Sequence, residues 1–393
     1  MHNKTTDSKA PRKSKIVVVG CGVVGALVAY ELNRQLEADI TVLDRQQPAQ
    51  GSTGAALGVL MGIISHKVKG RTWRLREASI RRYRSLIEEL AQQGQSVPFN
   101  SHGIVSLCMD AAKLPRWQTL REKRLSQGWP LEIWSPEELR KKCPQVALKS
   151  ETETGEPRTV KAAIYSPTDG QVHPAALTQA LVNTAAAEGV TFHFGVNVIG
   201  LAMEGSYCRG VETGGNGQTG KKKIFEADQV VLCAGLGSIE ITQAMDKPLA
   251  LMPVLGQAME IQLPDVLGDP AFQPVINADD IQCVPLGKGR YWLGATVEFP
   301  EDNVPLTAET EGLANLQRGA ARFIPAMAAL DSADTRATVL KTWSGLRPRP
   351  VGQPAPVIQP LLGSDNVILA TGHYRNGVLL APATAQYICD QIR

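Results

Sequence analysis

The chain has 393 residues, 43% of them apolar and 20% charged, with a formal net charge of +3 at pH 7. That length exceeds one compact core and suits two domains, and near-balanced charge excludes a chain built to hold nucleic acid or an anionic membrane by bulk electrostatics. Seven cysteines, at 21, 108, 143, 208, 233, 283 and 389, form no C-x-x-C pair, which argues against a disulfide framework and a metal site and for a reducing, cytoplasmic compartment.

Residues 1–14 are polar and basic and predict a disordered tail. The apolar run 16–30 that follows imitates a signal peptide, but three glycines interrupt it and charge returns at Glu31. "IVVVG" (16–20) has the β-branched character of a strand buried on both faces. G-x-G-x-x-G comes at once, as Gly20, Gly22 and Gly25 around Val23 and Val24, and a helical pattern runs on from it. "ITVLD" (40–44) predicts a second buried strand, ending at Asp44 and Arg45. The spacing has a mechanical reason. Gly20 allows the tight turn, Gly22 lets a pyrophosphate approach the backbone, and Gly25 lets helix and sheet pack closely. The helix N-terminus then offers its partial positive charge to the phosphates. Asp44 suits a ribose diol and disfavours the 2′-phosphate of NADP. The motif alone does not separate NAD from FAD.

"GSTGAALGVLMG" (51–62) is rich in small residues with hydroxyls at Ser52 and Thr53, so its backbone can approach a planar ligand or its phosphates. Six arginines between 71 and 84 predict the solvated face of a helix whose other face carries Trp73, Ile80, Tyr83, Ile87 and Leu90. The competing reading is a docking patch for an acidic partner. "GIVSLCM" predicts a strand and "SPEELRKKCP" a helix, while polar 149–161 predicts a surface loop. His173 enters a helix over 174–188, and a strand follows. The segment 212–224 reads as a hairpin tip with three solvated lysines. "ADQVVLCAGLGS" (227–238) is a buried strand ending at Ala234 and Gly235, where a doubly wound sheet places its ligands. Strand-like segments alternate over 250–335, and the chain returns at "ATVLKTWSGLRPRP". The strand "NVILAT" then enters a polar knot, "GHYRNG" (372–377), and a final helix buries Val378, Ala381, Ala385, Ile388 and Ile392, with Pro382 expected in its first turn. The free N–H groups at that helix start suit the charge that develops on a reduced flavin ring.

The pieces "VVVGCGVVG", "STGAALGVL", "DGQVHPAALTQAL", "VVLCAGLGS", "PLGKGRYWLGAT", "WSGLRPRP" and "TGHYRNGVLLAPATA" together resemble the FAD-dependent amino acid and amine oxidase family. That family includes D-amino acid oxidase, sarcosine oxidase and glycine oxidase, and the likeness is greatest on the glycine oxidase side. The resemblance spans nearly the whole chain beyond the tail. It implies an α/β, Rossmann-type FAD-binding domain (15–90, 161–249 and 336–393) interleaved with an α+β substrate domain on an antiparallel sheet (91–160 and 250–335). No cysteine lies in or beside "WSGLRPRP", so the FAD is expected to be noncovalent. By the same resemblance the cofactor would touch Gly20, Gly22, Val23, Val24, Gly25, Asp44 and Arg45, then Ser52, Thr53, Ala56, Gly58, Val59 and Leu60. Further along it would touch Val198, Ala234, Gly235, Gly345 and Arg347, and the knot and helix start at Gly372, His373, Tyr374, Arg375, Asn376, Gly377, Val378 and Leu379.

Flavin oxidation of an amine asks the protein to hold the substrate carboxylate, exclude water and aim one C–H bond. An arginine fork suits the carboxylate because parallel N–H donors fix position and plane. The resemblance gives that part to Arg347, with Arg375, His373 and Tyr374 as further catalytic candidates from the knot. Several positions depart from the family, among them Leu286, where a basic residue is usual, and "VGQPAPVIQP", where an Asp-Gly-x-Pro turn is usual. Gln282 stands where an active-site tyrosine is usual, and Arg349 stands where a small residue is usual and extends the positive charge toward a second carboxylate. The expected function is oxidation of a small amino acid or secondary amine, with O2 reduced to H2O2. A flavin dehydrogenase serving a quinone or protein acceptor and a non-catalytic FAD-binding subunit are the alternatives. Expected partners are that substrate and an electron acceptor, with room for a homo-oligomer and neither nucleic acid nor an integral membrane.

Overall fold

A computed structural model describes residues 12–151, 155–214, 223–301, 306–331 and 337–393. Most of the predicted tail lies outside these residues; where description begins, Arg12 pairs with Asp228 and Ser14 already opens a strand.

The β-branched run after the tail forms Ser14–Val19, and "ITVLD" lies in Ala38–Asp44. Both belong to a six-stranded sheet in the spatial order Thr191–Phe194, Ala38–Asp44, Ser14–Val19, Gln229–Leu232, Val367–Thr371, Val357–Pro360. The pairs are parallel except the last. Parallel strands need crossovers, and the helices Val23–Gln35, Pro174–Ala187 and Gly377–Ile392 cover the sheet with small and aliphatic residues that are almost fully buried. The carboxyl ends of three central strands meet where the G-x-G-x-x-G turn, Ala234–Gly235 and the "GHYRNG" knot begin.

The second large sheet has eight strands, in the order Thr338–Pro350, Leu251–Gln262, Arg290–Gly294, Ile281–Gly287, Val275–Ala278, Ile104–Cys108, Ala162–Ser166, Glu132–Trp134. Three expectations change here. The sheet is mixed, because Val275–Ala278 runs parallel to Ile104–Cys108. Ala162–Ser166 and Thr338–Pro350 pair into it, although the sequence groups 161–249 and 336–393 with the nucleotide lobe. Sheet membership follows from hydrogen bonds between distant strands, which alternation along one strand does not reveal. Finally, the expected loop at 149–161 contains a short antiparallel pair, Lys149–Glu151 with Pro157–Thr159, and residues 152–154 are outside the description. The expected lysine-bearing tip also falls largely outside it, but the flanking strands Tyr207–Thr213 and Lys223–Glu226 do pair.

The arginine-rich segment forms the helix Gly70–Gln92. Arg71, Arg74, Arg81 and Arg84 are exposed, as a solvated face requires, whereas Arg76 and Arg82 turn inward. Arg76 is buried and donates to Met61 O at 2.6 Å and to Asn376 Oδ1 at 3.0 Å. Arg71 donates to Ile358 O at 2.7 Å, and Arg82 bonds Glu31 and Glu89. Only Arg74 and Arg84 fit the solvated reading without an interior partner, and Arg81 stacks on Trp129 while pairing with Glu77. Sequence periodicity shows which face carries charge; it does not show that a long guanidinium reaches inward past its own helix.

Pro382 is likewise displaced from expectation. It is the sixth residue of the helix Gly377–Ile392, inside it rather than in the first turn. Proline has no N–H, so the carbonyl four residues back, Val378 O, loses its helical partner. The buried Tyr83 hydroxyl, from the arginine-rich helix, donates to Val378 O in its place. One residue on, the Ala383 N–H donates to Ser79 Oγ at 3.2 Å. Burial pushes the Tyr83 phenol up, so it remains a donor at all ordinary pH.

A second buried cluster fixes the segment after Leu60. Asp169 accepts from the N–H groups of Gly62, Ile63 and Ile64 at 2.8–2.9 Å. The fully buried Arg124 donates to the carbonyls of Ile63, Ser65 and Lys67 and stacks 3.6 Å from the Trp73 ring centroid. Opposite charges thus take opposite polar edges of one irregular stretch, which leaves its backbone satisfied without regular structure.

Tyr83→Phe is expected to lower unfolding free energy by about 1–3 kcal/mol, the cost of an unpartnered buried carbonyl. Pro382→Ala in the same chain should restore part of the loss by returning the missing N–H. Urea denaturation of the two variants measures both. An unchanged midpoint for Tyr83→Phe would mean that Val378 O does not depend on the hydroxyl.

Candidate active site

At the phosphate end, three glycines stand where a side chain has no room. A Cβ on Gly25 would lie 1.9 Å from Gly20 O, so the first helix could not sit this close to the first turn. Gly20 has φ +101°, and a Cβ there would meet Cys233 O at 2.7 Å. Gly22 caps the helix Val23–Gln35 without a side chain; Thr53 Oγ1 accepts the Val23 N–H at 3.0 Å and would lie 2.9 Å from a Cβ on Gly22. Val23, Val24 and Gly25 form the first helical turn beneath it.

Asp44, at the end of its strand, already accepts the Cys21 N–H at 2.5 Å and the Gln46 N–H at 2.8 Å. Its carboxylate holds the glycine turn, with lone pairs left for a hydroxyl. Val198 is brought alongside: it opens the strand Val198–Glu204, and the Val196 N–H donates to Asp44 O at 3.0 Å. Arg45 borders a cavity of about 480 Å³ lined also by Leu236, Gly237, Ile239 and Leu249.

The segment 51–62 bridges the two large sheets. Ser52 Oγ donates to Leu346 O at 2.6 Å, and the Trp343 ring N–H donates to Ala55 O at 3.1 Å. A Cβ on Gly345 would stand 2.3 Å from Ala55 Cβ, so that glycine lets the segment settle on the sheet. Ala56 packs on the core of the first lobe, Gly58 (φ +73°) passes Val172 O too closely for any Cβ, and Val59–Leu60 pairs with Gly170–Val172.

The third wall is the knot. Gly372 (φ +63°) packs against Pro350 at the end of the edge strand. Tyr374 also has a left-handed backbone, φ +54°, which a tyrosine adopts only at a cost. Gly377, Val378 and Leu379 open a helix that no side chain of Asn376 caps, because Asn376 Oδ1 accepts from Arg76 instead. Ala234 and Gly235 adjoin this wall, where Thr371 Oγ1 donates to Gly235 O at 3.2 Å. His373 does not face the cleft as an exposed base. Its ring is buried, with Nε2 2.9 Å from Thr384 Oγ1 inside the helix, and burial foremost pushes its pKa down to about 4.

Arg347 lies on the eight-stranded sheet, its guanidinium flat over Gly256, where a Cβ would come within 2.4 Å of three guanidinium atoms. It donates to Leu255 O and to Thr296 O, each at 2.9 Å. Among the described residues no carboxylate pairs with it: the Glu298 carboxylate is engaged by Gln257 and Thr296. Burial, and then the Arg375 charge, push Arg347 below its ordinary value, and a guanidinium remains protonated at neutral pH all the same. Arg375 reaches Asp280 Oδ1 at 3.1 Å in an exposed pair. Gln282 stands two strands from Leu251–Gln262, in register with Gly294, and its Nε2 lies 3.6 Å from Met61 Sδ.

The residues fit FAD. Two helices begin without a side-chain cap of their own, the glycines leave the backbone accessible, and 51–62 and 372–379 flank one sheet face that carries a guanidinium with no ion-pair partner among the described residues. Sequence reasoning missed Arg76, Met61, Asp169 and Arg124, which set these walls. Arg76 lay inside an arginine cluster, yet the helical period could have told it from Arg74, because it falls between Trp73 and Ile80 on the buried stripe.

Comparison with known proteins agrees with this geometry. The family described as FAD dependent oxidoreductase (DAO) matches residues 15–391. The bifunctional protein ThiO/ThiG of Synechocystis sp. is 31% identical over 96% of this chain and 51% of its own length. The chain therefore spans about half the length of the bifunctional relatives it matches. Glycine oxidase of Geobacillus kaustophilus is 25% identical over 96% of this chain and 92% of its own. The crystal structure of glycine oxidase from Bacillus cereus superimposes with a TM-score of 0.79 at 24% identity, covering 97% of this chain and 95% of that one. No helix among the described residues is long and apolar enough to cross a membrane. The chain belongs to the family of FAD dependent oxidoreductases (DAO).

Proposed function

We propose that the protein oxidises the C–N bond of a small amino acid or secondary amine, that the resulting imine is hydrolysed, and that O2 is the terminal acceptor and leaves as H2O2. Bound FAD supplies the hydride acceptor. The observation that carries the reading is Arg347. It is a half-buried guanidinium fixed by two backbone carbonyls, with no carboxylate partner among the described residues. Two carbonyls orient the fork without neutralising it, so a substrate carboxylate supplies the missing charge and is held in a defined plane.

The neighbouring residues support the same chemistry. Hydride leaves only a neutral amine, and the positive charges of Arg347 and Arg375 favour the neutral form of an amine placed between them. Gln282, beside Met61, contributes a neutral amide where a substrate amine or imine would lie. Trp343 and the 51–62 segment close one side against water. His373 serves as a packing bond that fixes the start of the knot, since its ring is committed to Thr384. We assign FAD contacts to Gly20, Gly22, Val23 and Thr53 at the phosphates and to Gly345 and the 372–379 turn at the ring.

Arg347→Ala is expected to raise KM for the amine at least a hundredfold while FAD stays bound, in line with about 3–5 kcal/mol for breaking a buried charge pair. Steady-state kinetics near the unmutated values would reject the role. Gly22→Val is expected to yield colourless protein, because the added methyls displace Thr53 from the helix start. A yellow preparation with ordinary flavin content would count against the phosphate cradle. With glycine, sarcosine and other small amines, oxygen uptake should match peroxide formed. Flavin bleached anaerobically but without oxygen consumption in air would reassign the acceptor to a quinone or protein.

A further inference from the structure

We propose that the site takes an amine carrying a second carboxylate, and that Arg349 binds that group; the inference rests on the amine-oxidation reading above. Residues two apart on a strand share a face about 7 Å apart, so Arg349 projects on the same side of Thr338–Pro350 as Arg347. Its guanidinium is stacked 5.0 Å from the Phe299 ring centroid and 5.6 Å from that of Tyr374. Contact of the cation with the two rings holds the guanidinium without using its N–H donors. Among the described residues no carboxylate or carbonyl accepts from those donors. Phe299 is 44% exposed, an aromatic ring kept at the surface with the cation laid over it.

The charges around the cleft do not balance. Arg347, Arg349 and Arg375 face Glu298, which is engaged by Gln257 and Thr296, and Asp280, which is engaged by Arg375. Neither Arg347 nor Arg349 forms an ion pair among the described residues, although the Glu298 charge is near enough to act on Arg347. A monocarboxylate at Arg347 meets one of them. A short dicarboxylic amine meets both and orients its reacting carbon between two forks rather than about one. Tyr374 links the two positions: its ring carries Arg349, and its turn precedes the uncapped helix at the cofactor end of the cleft.

The test uses the FAD-loaded enzyme and compares Arg349→Met and Arg349→Lys with the unmutated chain. Kinetics with aspartate, glutamate and iminodiacetate are set against glycine and sarcosine. Arg349→Met is expected to raise KM for the dicarboxylates about ten- to a hundredfold, the range for a lost hydrogen bond to a charged group, and to exceed its effect on the monocarboxylates by at least about tenfold. Arg349→Lys should recover part of the loss. Equal effects on the two substrate groups would overturn the assignment. Titration of the flavin spectrum with succinate against acetate reads the same site without turnover. Tighter succinate binding that Arg349→Met abolishes supports the proposal, and equal binding overturns it. If no amine ever bleaches the flavin while succinate still discriminates, the amine reading falls and the second-carboxylate site stands.

Discussion

The structure depends on how the helix Gly70–Gln92 docks against the helix Gly377–Ile392. The second helix opens on the knot, where the proposed flavin contacts lie, yet its sequence places a proline inside it. An isolated helix of that sequence would break near Val378. Tyr83 and Ser79 supply the polar partners that the interruption removes, and Arg76 ties Asn376, at the helix entry, to Met61 on the opposite wall. One helix therefore repairs a backbone and sets the distance between two sides of the site. Arg71 and Arg76 act as donors to carbonyls, a task that the planar fork suits better than a lysine would.

Around that brace the cleft follows a single electrostatic plan. Both helix starts are left without a cap from their own N-cap side chain, so partial positive charge faces inward at the phosphate end and at the ring end. Arg347 adds a full charge that carbonyl dipoles hold in place but do not cancel. Glu298 bonds Gln257 and Thr296 and forms no ion pair with it. Such an arrangement is unfavourable in an empty protein and becomes favourable as anionic groups arrive, which places the binding energy where the reacting bond must be aimed.

Much of this was legible in the residues. The strand–glycine–helix–strand–acid series declared the nucleotide lobe, because its spacing answers to local geometry that no distant contact alters. The knot and the final helix were read as the flavin end, and the fold does bring the knot to the carboxyl end of Val367–Thr371. What the sequence hid was long-range. Periodicity assigned the arginines of 71–84 to water, whereas Arg76 and Arg71 reach carbonyls on other elements. Position along the chain put Pro382 in a first turn, whereas the helix begins earlier, at Gly377. His373 invited a chemical role by its neighbourhood, and only the packing of Thr384 against its ring revealed its commitment. Asp169 and Arg124 carried no motif at all, since the loop they hold meets them across more than fifty positions of chain.

The strand order also has a consequence for synthesis. Ser14–Val19 lies between Ala38–Asp44 and Gln229–Leu232, and the next strand outward is Val367–Thr371. A nascent chain can wind its glycine turn early, but the opposite side of the cleft is not made until the helix ending at Ile392 has left the ribosome. Vitamin-derived cofactor would thus be captured only once this last helix is made, long after the glycine turn, and a chain short of flavin would leave its greasy interior open to chaperones and proteases.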